Sequence, residues 1–235
     1  MTISSSTLFN FMKEYSFLKQ ALENGFWARY CIEPYWNGKH LAIPMLCFCD
    51  IPLSQIKEHT ENYGEYGIGV TKDFAQRNRI TPVTYISGKS TIMNKINTYI
   101  RSYKKVSQTL KSTSFEEYIL YYIKKSNGKN IKGKNTKFYN EREWRYIPSI
   151  NQSVHVELFQ DLNEANNNIN VLSERTNQQR IKIYPKDIAY IFVPTNNEKK
   201  KLCKTIDIIY KDEKQNIRDI LKTKILSCQQ IKEDF

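Results

Sequence analysis

Histidine is scarce in this 235-residue chain, with three in all, so acid–base catalysis through imidazole has few candidates. Familiar catalytic signatures are missing too. There is no GxxxxGK[ST] phosphate loop, no GxGxxG opening a helix after a strand, no GxSxG elbow and no HExxH pair. Their absence argues against P-loop nucleotidases, Rossmann dehydrogenases, α/β-hydrolases and zincins. The five cysteines are an odd number and none lies in a CxxC pair, which argues against a disulfide framework or a zinc ribbon. Cys47 and Cys49 in "LCFCD" are two apart, but a metal would need further ligands, with only His40 and His59 nearby. Buried free thiols in a reducing cytoplasm are the expectation. Eight Gly and seven Pro exclude a collagen-like or linker-like chain. No apolar run approaches the roughly 18 residues of a membrane span. The opening "MTISSSTLFNFMKEY" lacks a basic segment followed by a long apolar run. We therefore expect a cytoplasmic protein with no membrane partner and no metal.

What is present is a 40% apolar composition, enough for a core, and a formal charge of +12. A surface this basic attracts polyanions over about 8 Å in physiological salt. Nucleic acid is one reading of that charge; a general bias towards Lys, Asn and Ile is the other. "STLFNFM" reads as a first strand, and Tyr15, Leu18 and Leu22 recur at helical spacing before Gly25, a fitting C-terminal cap. "IPMLCFCD" reads as a strand running into a helix, with Asp50 placed to accept first-turn N–H groups and Pro52 suited to that turn. The helix stops at Gly64. "YGIGVTK" returns as a strand in which Gly67 and Gly69 allow close backbone approach. "RITPVTYIS" is another strand. Ser90 to Lys125 reads as helical, with a stripe of Ile92, Ile96, Tyr99, Tyr103, Val106 and Leu110 and a capping-box spacing at Ser114 and Glu117. "RIKIYPKDIAYIFVPT" supplies short strands around Pro185, and "NNEKKKLCKTIDIIYKD" an amphipathic helix. The expected architecture is α+β: one domain over residues 1–235, with a split, mostly antiparallel sheet. Helices lie on one side, with a helical insertion at 88–128 and an Asn-rich surface excursion at 160–180.

The stretch "FYNEREWRYIP", residues 138–148, carries the densest chemistry. Read as one strand, it places Glu141, Glu143 and Arg145 on one face and Arg142, Trp144 and Tyr146 on the other. Two carboxylates side by side repel; Arg145, one pleat on, offsets that and keeps them ionised near neutral pH. Such a pair suits reactions in which positive charge grows on a sugar carbon. A salt-bridge ladder on an exposed sheet is the plainer reading. The preceding "KKSNGKNIKGKNTK" is a lysine-rich loop. His155 on "SVHVEL" and His59 late in its helix read as structural.

"LKQALENGFWARYCIE", "AIPMLCFCDIPLSQIKEHTENYGEYGIGVTKDF", "PVTYI" and "EREWRYIP" together resemble the AbiGi family, across roughly residues 8–86 and 138–194. That family is the first component of a bacterial abortive-infection pair, described as an antitoxin, so the resemblance implies antiphage defence and a partner toxin or phage protein. The order of early strand, helix ending at "ENGF" and late Glu-x-Glu also resembles the ADP-ribosyltransferase layout. That second resemblance implies NAD as co-substrate and an ADP-ribosyltransferase-like fold. Glu143 matches the catalytic glutamate, Glu141 the acceptor-orienting one, and Arg145 supports both. Asn10 falls where the family carries a histidine, with Arg29 as the substitute; Tyr63 and Tyr66 would stack on nicotinamide, with ordinary packing of the "YGEYG" turn as the alternative. Lys124, Lys125, Lys129, Lys132, Lys134 and Lys137 match the loop that reads the acceptor, a nucleic acid or a protein, and their charge suits a nucleic acid. The contrasting expectation is a non-enzymatic antitoxin or sensor that binds a partner protein or nucleic acid through a basic surface.

Overall fold

The fold was obtained as a computed structural model, which describes residues 5–34, 38–103, 115–129, 135–151 and 153–234. Along the chain run β1 (Thr7–Met12), α1 (Tyr15–Asn24), β2 (Arg29–Pro34), β3 (His40–Cys49), α2 (Ile56–Tyr63), β4 (Tyr66–Thr71) and α3 (Lys72–Arg77). Next come β5 (Thr81–Pro82), β6 (Thr84–Ile86), α4 (Thr91–Tyr103), α5 (Phe115–Leu120), β7 (Ile123–Lys125), β8 (Gly128–Lys129), β9 (Asn135–Thr136) and β10 (Glu143–Tyr146). The chain continues with β11 (Glu157–Phe159), α6 (Leu162–Glu174), β12 (Ile188–Val193), α7 (Asn196–Ile209), α8 (Gln215–Thr223), β13 (Ile225–Ser227) and α9 (Cys228–Asp234). The class is α+β with a mostly antiparallel open sheet; among the described pairings, β12–β13 and β6–β7 are parallel. No helix of the described residues is long and apolar enough to cross a membrane.

Contacts divide the chain into two compact units, and each is assembled from separated segments. The first takes Met1–Phe26, Cys47–Ile80 and Ile181–Phe235. Its strands run in the order β13, β12, β4, β1, with Phe9 of β1 opposite Cys49. β4 pairs with β1 through its whole length, Thr7 opposite Thr71 to Met12 opposite Tyr66. Cβ atoms at Gly67 and Gly69 would meet Phe11 and Phe9 at 2.8 and 3.0 Å, so these glycines let the β1 aromatics lie flat across β4. The core gathers Phe9, Cys49, Ile51, Ile56, Phe192, Cys228 and Ile231, all nearly removed from water. Asp50 is buried; it accepts from the Ser5 N–H at 2.9 Å and from Lys72 Nζ at 2.7 Å. The 3-10 turn that follows, Leu53–Gln55, starts at Pro52 without a side-chain cap.

The second unit takes Trp27–Leu46 and Thr81–Arg180. Here β3 pairs antiparallel with β2, Arg29 opposite Met45 to Pro34 opposite His40, and with β11 over Leu41 and its neighbours. The Asn-rich segment, expected as a surface excursion, forms helix α6, with most of its residues exposed. Asp161 caps it by accepting from the Glu164 N–H, and Ala165, Ile169 and Leu172 pack against Tyr30, Ala42 and Phe159. In α4, Met93 is buried while Ile92 is 61% exposed, so the stripe is rotated from the expected one. Val106, Leu110 and the cap at Ser114 lie outside the described residues. The helical reading of 90–125 ends early, because Ile123–Lys125 forms β7 beside β6.

Candidate functional site

The stretch 138–148 is not one strand. Phe138–Glu141 is a 3-10 turn, Arg142 adopts the left-handed conformation at φ 45°, ψ 52°, and only Glu143–Tyr146 is extended. A non-glycine residue in that conformation breaks the alternation of faces. Glu141 therefore reaches the same neighbourhood as Glu143 by a route other than strand pleating: both carboxylates bind the ammonium of Lys124, at 3.1 and 2.8 Å.

Four backbone and phenol contacts fix that neighbourhood. Lys124 sits on β7 with Tyr85 of β6 beside it. Tyr85 Oη accepts the Glu143 N–H at 2.9 Å, and the Glu143 carbonyl accepts from Val83 at 2.8 Å. Trp144 lies opposite Pro82 and Arg145 opposite Thr81. Tyr139 donates its N–H to Ser126 and leans edge-on against Tyr85.

Arg145 is the hub. It is 1% exposed and donates through Nε to Glu143 at 2.6 Å, through Nη1 to the Tyr121 carbonyl at 2.7 Å and through Nη2 to Glu33 at 2.7 Å. Glu143 is 7% exposed and takes charge-assisted hydrogen bonds from both Arg145 and Lys124. Burial by itself would raise the Glu143 pKa; the Arg145 and Lys124 charges outweigh it and hold the carboxyl at about 2. Burial would lower the Lys124 pKa, and the charges of Glu143, Glu141 and Glu33 instead push it above the ordinary lysine range. Burial pushes the Tyr85 phenol up to about 12. Glu143, Lys124 and Tyr85 thus keep one protonation state near neutral pH. The cluster is suited to holding geometry or to electrostatic stabilisation of a cation, and these three groups are not tuned for proton transfer near neutrality.

The other expected site residues are placed as follows. Arg29 lies in the same unit as the cluster; Asn10, Tyr63 and Tyr66 lie in the first unit. Asn10 Nδ2 donates to the Cys47 carbonyl at 2.8 Å. The Tyr63 ring lies 4.4 Å from the His59 ring, which in turn contacts Phe11. Tyr66 Oη donates to Glu198 at 2.5 Å, and the residue lines a pocket of about 320 Å³ with Lys13, Glu61, Asn62 and Glu65. Arg29 lies over the Trp27 ring. Of the acceptor-loop lysines, Lys125 and Lys137 are exposed, whereas Lys124 is turned into the carboxylates. Lys129 belongs to β8; Lys132 and Lys134 lie outside the described residues. Sequence reading missed Glu33 and Lys124 as members of the cluster. The one carboxylate in the "RYCIEP" strand was the available signal for Glu33. His155, read as structural, is buried with Nε2 2.8 Å from Glu157, which also binds Arg175 at 2.8 Å.

Comparison with known proteins gives two findings. Residues 24–194 match the family described as "Putative abortive phage resistance protein AbiGi, antitoxin". The protein named "Abortive phage resistance protein AbiGi" from Lactococcus lactis subsp. cremoris is 29% identical over 225 residues, covering 84% of this chain and 90% of that relative. No solved structure matches the chain.

Proposed function

The chain belongs to the AbiGi family of abortive phage resistance proteins, and from that premise we propose that it serves antiphage defence as the restraining, partner-binding member of a pair, the partner being a toxin. The observation that carries this reading is the closure of the carboxylate cluster. Glu143 is buried and engaged by Arg145 and Lys124, so its charge is spent on holding β7, β10 and the 138–141 turn together. A clamp of this kind shapes a binding surface and needs no substrate. The word antitoxin in the family description supports a toxin partner. The test is growth rescue: cells expressing the second component of the pair should recover on co-expression of this chain, and Glu141→Gln at the edge of the cluster should rescue as well as the natural sequence. Absence of rescue by the natural sequence overturns the reading.

A second reading, ADP-ribosyl transfer from NAD, draws on one observation: Glu141 and Glu143 converge on a single ammonium. A sugar cation in the place of Lys124 Nζ would face both carboxyl groups, that of Glu143 held ionised. In this reading Glu143 stabilises the cation, Glu141 orients the acceptor and Arg145 holds Glu143. Incubation with labelled NAD and nucleic acid separates the two readings. Turnover abolished by Glu141→Gln and Glu143→Gln in folded protein favours transfer, and no turnover favours restraint.

A further inference from the structure

We propose that Trp27, Arg29 and Arg180 form a phosphate clamp for single-stranded nucleic acid. The guanidinium carbons of Arg29 and Arg180 each lie 5.0 Å from the centre of the Trp27 ring. One indole therefore organises two cations, within twice that distance of each other. The ring cannot turn freely: its Nε1 donates at 3.0 Å to Thr176 Oγ1, and the buried Thr176 hydroxyl is within hydrogen-bond distance of the Ala28 and Ser173 carbonyls.

The two guanidinium groups differ from those of Arg145 and Arg175 in the same unit. Arg145 is paired with Glu143 and Glu33, and Arg175 with Glu157. Arg29 and Arg180 have no carboxylate partner within ion-pair distance among the described residues. Asn177 orients Arg180, its Oδ1 accepting from Nε at 3.1 Å and from Nη2 at 2.5 Å. Arg29 gives Nη2 to Asn170 at a long 3.3 Å. The acid close by is Glu174, which accepts from Asn177 Nδ2 at 3.3 Å.

A guanidinium held over an indole face keeps its N–H groups in its own plane, free of the ring, where a phosphate accepts two of them. Two such forks on one ring repel each other, and an anion bridging them relieves that repulsion. Both side chains are half-buried, so part of their desolvation and ordering cost is met before any ligand arrives. The surrounding unit has 18 Lys and Arg against 9 Asp and Glu, hence +9 of the chain's +12. A polyanion is drawn to this unit, and planar stacked guanidinium groups suit phosphodiesters next to unpaired bases. This inference stands apart from the restraint reading, because it uses neither the carboxylate cluster nor the partner toxin.

The experiment is fluorescence anisotropy of a labelled single-stranded RNA and DNA of about 15 nucleotides, titrated with the whole chain over a salt series. Natural protein should bind, with log affinity falling linearly against log salt. Arg29→Lys and Arg180→Lys keep the charge and lose the fork, and each should weaken binding by at least about five-fold, with unchanged thermal melting. Lys125→Ala, a charge outside the clamp, should weaken it less than either. Polyglutamate should compete poorly. No binding at low salt, full affinity in both lysine variants, or equal competition by polyglutamate would each overturn the clamp.

Discussion

Arg145 Nε donates to the Glu143 carboxylate at 2.6 Å from two positions further along the same strand, and both side chains are buried. A pair of this kind is costly to break from one side, because the survivor is left charged and dry. We expect Glu143→Gln to lose about 3–5 kcal/mol of stability. Replacing both partners by apolar residues of similar size, Glu143→Leu with Arg145→Met, should recover a large part of that loss. Urea unfolding midpoints of the single and double variants measure the difference. A single-variant loss under about 1 kcal/mol would mean that the pair behaves like a surface ion pair.

Acid should act on the same carboxylate. Its folded pKa of about 2 lies below the ordinary 4.5. A lowered folded value means that the folded state prefers the ionised form. The contribution is present in full above the unfolded pKa and is lost as pH falls from there towards 2. The span corresponds to about 3 kcal/mol. Stability followed by urea unfolding between pH 6 and about 2 should fall more steeply in the natural protein than in Glu143→Gln. Parallel curves for the two would assign the acid sensitivity to other groups.

Local pattern made much of the first half of the chain legible. Helix α1 with its Gly25 stop, strands β1, β3 and β4, and α2 ending at Gly64 were readable because periodicity and glycine act over a few residues. Two features were not. Arg142 takes a left-handed backbone with no glycine to announce it, so the alternation of 138–148 pointed to a longer strand than the one that forms. In 160–180 the asparagines masked the spacing of Ala165, Ile169 and Leu172 that seats α6. The cluster itself depends on distance along the chain: Lys124 lies 17 and 19 residues from its two glutamates, and Glu33 lies 112 from Arg145. No short-range pattern encodes such meetings. The family motif located Glu141 and Glu143, and folding supplied their shared partner.

Asp50 was expected to cap a helix and instead ties two segments of the first unit. It is 2% exposed and holds both Lys72 and the Ser5 N–H. Asp50→Asn should cost about 1–3 kcal/mol, since the half-buried Lys72 ammonium loses its counter-charge and the Ser5 N–H its charged acceptor. Lys72→Met should cost at least as much, because it takes the counter-charge from the buried Asp50 carboxylate, although the Ser5 bond survives. Hydrogen exchange at Ser5 should quicken in Asp50→Asn beyond its change in Lys72→Met. Equal exchange in both variants would assign the ordering of Ser5 to other contacts.

Gly64 ends α2 with φ at +107°, and a Cβ there would sit 2.1 Å from the Met12 carbonyl oxygen. Two costs coincide: a side chain rarely adopts that backbone conformation, and the obstruction is backbone that cannot swing aside. Gly38 has a positive φ of +75°, but among the described residues nothing lies within 4 Å of its would-be Cβ. The pair therefore separates conformational strain from collision. Gly38→Ala should lose about 1 kcal/mol, the price of the dihedral alone. Gly64→Ala should lose at least about 3 kcal/mol, because the junction between β1 and α1 must move to admit the methyl group. Thermal and urea unfolding of the two variants decide it. Equal losses would show that the Met12 backbone yields without cost, and that Gly64 is required for its dihedral only.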